Sequence, residues 1–104
     1  MKQNKINGLL SLAARGRNIV SGEFSVESAV KDGSAVLVIV AQDASDNTKK
    51  LFGNKCSFYE VPCFTYGTKE ELGHSIGKQM RSSIAVLDEG LANAIRKYLE
   101  ELQD

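Results

Sequence analysis

Residues 72–88 read LGHSIGKQMRSSIAVLD and pass from a helical pattern, through a glycine, into an apolar strand. Gly77 marks the end of the helix, because glycine adopts positive φ angles without the steric cost that other residues carry. The residues between this glycine and the strand are polar or basic: Lys78, Gln79, Arg81, Ser82 and Ser83. Two cations, an amide and two hydroxyls in one loop suit either an anionic partner, such as a phosphodiester backbone, or plain solvent.

The same alternation of helix and strand extends over the rest of the chain. Residues 35–41 (AVLVIVA) are aliphatic throughout, which is typical of a central strand covered on both faces. Four polar residues are expected to cap helices: Asn4, Ser21, Thr68 and Asp88. The predicted elements are a helix from Asn4 to about Gly16, a strand over 18–20, a helix over 22–32, a strand over 35–41, a helix over 45–59, a strand over 61–66, a helix from Thr68, a strand over 84–87, and a helix from Asp88.

This order of elements, α-β-α-β-α-β-α-β-α, predicts an α/β fold with helices on both faces of the sheet. At 104 residues the chain is long enough for one core, so we expect one domain over 1–104. The predicted architecture is a three-layer α/β/α sandwich around a mixed four-stranded sheet.

Composition excludes several classes of protein. Thirteen basic and thirteen acidic residues give a net charge of zero, which argues against a nonspecific nucleic-acid coat but allows a small basic site. The longest apolar run, 35–41, is far shorter than the roughly 18 residues of a membrane span. The N-terminus has no signal-peptide pattern, so we expect a cytoplasmic protein that does not contact membranes.

The cysteines and the single histidine do not form a recognisable metal motif. Cys56 and Cys63 lie seven positions apart, and His74 follows at a distance, whereas structural zinc needs four ligands in short paired spacings. Both cysteines are expected to be buried free thiols. No metal and no cofactor are predicted.

No catalytic constellation is evident either. Residues 73–79 (GHSIGKQ) resemble a phosphate-binding P-loop, but the glycine spacing, the missing hydroxyl and the preceding helix all depart from that motif. His74 is expected to be a surface or cap residue. Asp43 and Asp46 are expected to cap and charge the start of the third helix. The sequence therefore predicts a protein that is not an enzyme.

Recognition is the remaining class of function. Arg15 and Arg17 precede the second helix, whose start at Gly22 offers free backbone N–H donors. Lys78 and Arg81 lie in the polar loop. If the fold brings these two segments together, a neutral protein acquires one electropositive edge with Arg17, Lys78 and Arg81 exposed.

Two segments carry a family resemblance: RNIVSGEFSVESAVKDGSAVLVIVAQDAS (17–45) and KEELGHSIGKQMRSSIAV (69–86). They resemble the kink-turn RNA-binding ribosomal protein superfamily, the archaeal L-seven-Ae-like proteins, and most of all its small bacterial YlxQ-like members. The resemblance spans nearly the whole chain. Its specific parts are Gly22, the aliphatic strand with Gln42-Asp43 after it, the Glu-Leu-Gly-x-x-x-Gly run over 71–77, and the basic loop.

The resemblance implies a non-enzymatic, monomeric protein that binds structured RNA and associates with the ribosome or with translation factors. In such proteins the start of the second helix enters the groove of a bent RNA, and the loop before the last strand holds flipped-out nucleotides. The implied RNA-binding residues are Arg17, Gly22, Glu23, Phe24, Ser25, Ser28, Lys78, Gln79, Met80, Arg81 and Ser82.

The chain departs from this family pattern at the helix start. Strong kink-turn binders carry Gly-x-Asn-Glu there and a lysine further along. Phe24 and Ser25 occupy the Asn-Glu positions here, and Ser28 occupies the lysine position. Phenylalanine and serine do not reproduce the base-edge hydrogen bonds of asparagine and glutamate. Two alternatives follow. One is a ribosome- or translation-associated protein that contacts RNA of another shape, and the other is a protein-interaction module on the same fold, with Phe24 as an exposed apolar anchor.

Overall fold

The computed structural model describes residues 2–103. Within that range the chain forms α1 (Lys2–Arg15), β1 (Ile19–Ser21), α2 (Glu23–Asp32), β2 (Leu37–Val40), α3 (Asp46–Tyr59), β3 (Cys63–Thr65), α4 (Lys69–Ser75), β4 (Ser83–Val86) and α5 (Glu89–Leu102). The predicted order of elements is confirmed. None of the described helices has the length and apolarity that a membrane crossing requires.

The four strands form one mixed sheet in the order β1-β4-β2-β3. β4 runs antiparallel to both β1 and β2, whereas β2 and β3 are parallel. Every residue of β2 and β4 is buried, while the edge strands β1 and β3 are partly exposed. The strand predicted over 35–41 is central, as expected, because β2 lies between β4 and β3 with helices on both faces, but it is shorter and spans only Leu37–Val40.

The helices cover both faces of the sheet. α1, α4 and α5 pack together on one face, and α2 packs with α3 on the other. Apolar side chains from both helical layers are fully buried against the strands; Phe52 of α3 and Ile95 of α5 are examples. Burying a side chain of this size contributes about 1.5–3 kcal/mol. The predicted three-layer sandwich is confirmed.

Several helix caps follow the sequence prediction. The Thr68 hydroxyl accepts from the Glu71 N–H at 3.1 Å, and the Glu71 carboxylate accepts from the Thr68 N–H at 3.1 Å, forming a complete capping box. Asp88 accepts from the Leu91 N–H at 2.8 Å and begins α5. Such caps satisfy backbone donors that the helix itself leaves unpaired.

Three predicted caps were wrong. Asn4 lies inside α1, which begins at Lys2. Ser21 is the last residue of β1, because its backbone pairs with Ile84 of β4; Gly22 is the residue that precedes α2. Asp43 accepts from the Lys69 N–H at 2.8 Å and so holds the start of α4, not of α3. In each case tertiary contacts or an earlier helix start override the local signal.

The two cysteines differ in exposure. Cys56 of α3 is buried, as predicted, but Cys63 is exposed, because it lies on the edge strand β3. A hydrogen bond between the two thiols lowers the pKa of Cys63. The same bond raises the pKa of Cys56, which burial raises further.

Candidate nucleic-acid interface

Strand pairing joins the start of α2 to the end of the polar loop. Ser21, the last residue of β1, pairs with Ile84 of β4. One residue further along, the Gly22 N–H donates to the Ser83 carbonyl at 3.1 Å. The predicted proximity of the second helix and the loop before the last strand is confirmed. It results from the antiparallel pairing of β1 with β4, which places the end of one strand beside the beginning of the other.

Gly22 has a backbone conformation that side chains disfavour. Its φ is 92° and its ψ is 151°, a region occupied almost entirely by glycine. The Gly22 carbonyl accepts the first bond of α2, from the Val26 N–H at 3.0 Å. No side chain caps this helix end, so the N–H groups of its first turn are directed outward. Such a helix terminus favours anions through its free donors and its dipole.

The loop from Gly77 to Ser82, the 77–82 loop, folds back along α4. The Lys78 N–H donates to the Gly73 carbonyl at 2.8 Å, and the Arg81 N–H donates to the Lys69 carbonyl at 3.0 Å. At Gly73 the backbone of the loop lies so close that a Cβ atom would stand 1.4 Å from the Gln79 oxygen. Only glycine permits this approach. The loop is thus fixed by backbone contacts at both of its ends.

The side chains of the 77–82 loop are unequal in exposure. Lys78, Gln79 and Met80 are exposed, and Met80 presents 58% of its surface to solvent. Arg81, which was expected to be exposed, is only half-exposed, because its Nε donates to the Ser21 hydroxyl at 3.1 Å. A second guanidinium nitrogen donates to the Met80 carbonyl at 2.9 Å. Arg81 therefore ties the loop to β1 instead of pointing freely outward.

Ser83 is also not part of the exposed loop. It is the first residue of β4 and fully buried, and its hydroxyl finds no hydrogen-bond partner in the described part of the chain. Ser82 is half-exposed, and its carbonyl accepts from the Ala41 N–H at 2.9 Å. The polar loop predicted over 78–83 thus ends one residue earlier than its sequence indicates.

The basic residues before α2 occupy two positions. Arg17 is exposed and has a positive φ of 61°, but it precedes β1 and so lies at the end of that strand away from Gly22. Arg15, at the end of α1, lines a surface depression together with Ile76 and Gly77. The cation beside the beginning of the 77–82 loop is therefore Arg15, which the sequence-based set of site residues omitted. The packing of α1 on α4 creates this proximity, and no local motif signals it.

The exposed side chains at the start of α2 are Glu23, Phe24, Ser25 and Ser28. Phe24 is 83% exposed. The Glu23 carboxylate accepts from the Thr48 hydroxyl of α3 at 3.3 Å. One turn further along α2, Glu27 forms salt bridges with Lys31 at 3.4 Å and with Lys55 at 3.8 Å, so neighbouring cations balance its charge.

Metal-ligating residues do not converge at this interface. Across residues 2–103, no three histidine, cysteine or acidic side chains are grouped as a metal ion would require. His74 is exposed on α4. The interface combines the free backbone N–H groups of the α2 start with the cations Arg15 and Lys78 and the exposed apolar side chains of Phe24 and Met80. This combination of groups suits the binding of a partner.

The chain resembles known proteins over most of its length. It matches the Ribosomal protein L7Ae/L30e/S12e/Gadd45 family over residues 4–96. It is 42% identical over 92 residues to the RNA-binding protein YlxQ of Bacillus subtilis (strain 168), covering 88% of this chain and 92% of that protein. It is 36% identical over 98 residues to the RNA-binding protein YlxQ of Enterococcus faecium, covering 94% of each.

Solved structures show the same fold. A protein of unknown function from Bacillus halodurans C superposes with a TM-score of 0.90 at 38% identity, covering 92% of this chain and 97% of the other. The 15.5kD RNA binding protein of Giardia lamblia superposes with a TM-score of 0.81 at 22% identity, covering 98% of this chain and 88% of the other, and this likeness concerns the fold alone.

The predicted family resemblance is confirmed by these matches, and so is the prediction of a protein that is not an enzyme. The match over residues 4–96 and the two YlxQ relatives lead to one assignment: this chain belongs to the Ribosomal protein L7Ae/L30e/S12e/Gadd45 family.

Proposed function

We propose that this chain acts as one RNA-binding domain that recognises bent, structured RNA, in the cytoplasm and in association with the ribosome or the translation apparatus. The observation that carries the proposal is the junction of the α2 start with the 77–82 loop through the Gly22–Ser83 hydrogen bond at 3.1 Å. The names of the two YlxQ relatives, both RNA-binding proteins, support it. In this arrangement an RNA phosphate binds at the uncapped N-terminus of α2, and Lys78 faces the adjoining RNA strand.

Backbone and phosphate contacts dominate this proposed interface. The helix terminus supplies N–H donors that do not distinguish one base from another. Phe24 and Ser25 offer little hydrogen bonding to base edges. Selection therefore depends on the shape of the RNA, since a kinked helix can present phosphates to the α2 start and unpaired nucleotides to the 77–82 loop at the same time.

A gel-shift titration tests the proposal. The full chain is titrated against a kink-turn RNA and against an unkinked duplex of the same length and composition. We expect tighter binding to the kinked RNA. Equal affinity for both would remove the claim of shape recognition, and absence of binding to either would remove RNA binding altogether.

A protein-interaction module is the second candidate, and the exposure of Phe24 favours it. An aromatic side chain that is 83% exposed at the edge of a helix start can anchor a partner protein. Under this alternative, Phe24→Ala abolishes capture of a protein partner while the chain binds neither RNA in the gel shift. RNA binding by the wild-type chain decides in favour of the first proposal.

A further inference from the structure

A second exposed aromatic surface lies on α3, apart from the interface described above. Five residues at helical spacing line one surface depression: Leu51, Asn54, Lys55, Phe58 and Tyr59. We call this set the α3 patch. Phe58 is 78% exposed and Tyr59 is 40% exposed, with their ring centroids 4.9 Å apart in an edge-to-face arrangement. At 78% exposure, Phe58 presents most of its ring to solvent.

The charges around the α3 patch are mainly positive. Lys55 is part of the patch, and the exposed Lys50 lies one helical turn before Asn54 on the same side of α3. Lys55 forms a salt bridge with Glu27 at 3.8 Å, and Lys31 forms a shorter one with the same carboxylate at 3.4 Å, so two lysines share one negative charge. Glu60 lines a different depression, beside Val61 and Pro62. Among the described residues, no carboxylate lines the α3 patch itself.

The size of the patch limits what it can bind. A stable protein–protein interface buries roughly 800 Å² on each partner and needs several apolar anchors. The α3 patch offers one largely exposed ring, one partly exposed ring and a half-buried leucine. A nucleobase needs only one open ring face for stacking, and cations nearby suit its phosphates.

The position of α3 connects the patch to the α2 start. Thr48, in the first turn of α3, donates to Glu23 in the first turn of α2 at 3.3 Å. Lys55, two turns later, meets Glu27, so the two helices run side by side in the same direction. Phe58 lies ten residues beyond Thr48, which corresponds to about 15 Å along a helix. A single strand spans that distance with about four stacked nucleotides at roughly 3.4 Å each.

From these observations we propose that the α3 patch is a second RNA contact, which holds an unpaired strand by stacking a base on Phe58 while Lys50 and Lys55 face its phosphates. The contact is distinct from the α2 start and the 77–82 loop. It gives the chain an affinity for single-stranded RNA that does not require a kink.

Tryptophan fluorescence tests this contact directly, because the chain contains no tryptophan. The F58W variant places the sole reporter in the patch, and the L12W variant places it on α1, where Leu12 is 49% exposed. Both are titrated with an unstructured ten-adenosine RNA. We expect saturable quenching in F58W and none in L12W. Equal quenching in both variants, or none in F58W, would overturn the proposal.

Affinity measurements separate stacking from general apolar contact. F58L keeps an apolar side chain but removes the aromatic face. By fluorescence anisotropy, we expect F58L to bind the labelled adenosine RNA at least about fivefold more weakly than wild type. F58L and wild type should bind a kinked RNA without a single-stranded extension with equal affinity. The test of stacking on Phe58 is therefore independent of the proposed function. Equal affinity of F58L and wild type for the adenosine RNA contradicts stacking on Phe58.

Discussion

Replacing Gly73 by alanine tests whether the 77–82 loop is fixed by its approach to α4. The new Cβ would lie 1.4 Å from the Gln79 carbonyl oxygen, 2.4 Å from its carbonyl carbon and 3.1 Å from the Met80 Cα. All three are backbone atoms, so no side-chain rotation relieves the overlap. The loop would have to move by about 2 Å to restore ordinary contact distances.

Two opposing effects determine the result. Moving the loop disrupts the Lys78–Gly73 and Arg81–Lys69 hydrogen bonds, which contribute about 0.5–1.5 kcal/mol each. Residual overpacking adds a cost of about 1–3 kcal/mol. Alanine gains about 1 kcal/mol over glycine in helix propensity, which offsets part of the loss. We therefore expect Gly73→Ala to lower the free energy of unfolding by about 1–5 kcal/mol.

Urea denaturation of Gly73→Ala and a matched control measures this effect. The control is Gly53 in α3, where an added Cβ would meet no atom of the described residues within 4 Å beyond its own helix backbone and chain neighbours. Gly53→Ala should therefore raise the free energy of unfolding by about 0.5–1 kcal/mol. Opposite signs for the two variants support the close packing of the loop on α4. If Gly73→Ala stabilises the protein as Gly53→Ala does, the loop does not pack against α4 as described.

Three further predictions concern the interface. Gly22→Ala should destabilise the fold by about 1–3 kcal/mol in urea denaturation, because alanine is strained at φ 92° and ψ 151°; an unchanged midpoint would contradict that conformation. Lys78→Ala should reduce the slope of log affinity for RNA against log salt concentration by roughly 0.7–0.9. Arg81→Ala, which loses the hydrogen bond to Ser21, should weaken RNA binding with a smaller change in that slope. Equal slope changes in anisotropy titrations would show that both residues contact phosphate. The double variant Phe24→Asn, Ser25→Glu should gain preference for kinked over plain duplex RNA in gel shifts, and no gain would favour another RNA shape or a protein partner.

Local chemistry made much of the fold predictable. The aliphatic residues of 35–41 identify a central strand because few other segments bury side chains on both faces. The Thr68–Glu71 capping box and the positive φ of 74° at Gly77 both occur where the sequence predicts them. These features depend on residues close together in the chain, so a single sequence reveals them.

Features that depend on distant contacts were less predictable. Ser21 has the chemistry of a cap, but pairing with β4 places it in a strand. Arg81 has the chemistry of a phosphate ligand, but the Ser21 hydroxyl accepts its Nε–H. The importance of Gly73 emerges only when the loop is seen folded back on α4. Partners so far apart in the chain leave no local pattern in the sequence.

The α2 start and the 77–82 loop are proposed to form one RNA-binding interface. An NMR titration tests this proposal by measuring the amide chemical-shift change of each residue when RNA binds. The ¹⁵N-labelled protein is titrated with a kink-turn RNA. We predict that the largest amide shifts occur together over 22–28 and 77–82, with little change on α5, which lies in the opposite helical layer from α2. Shifts concentrated on α5, or shifts in one of the two segments without the other, would contradict a joint interface.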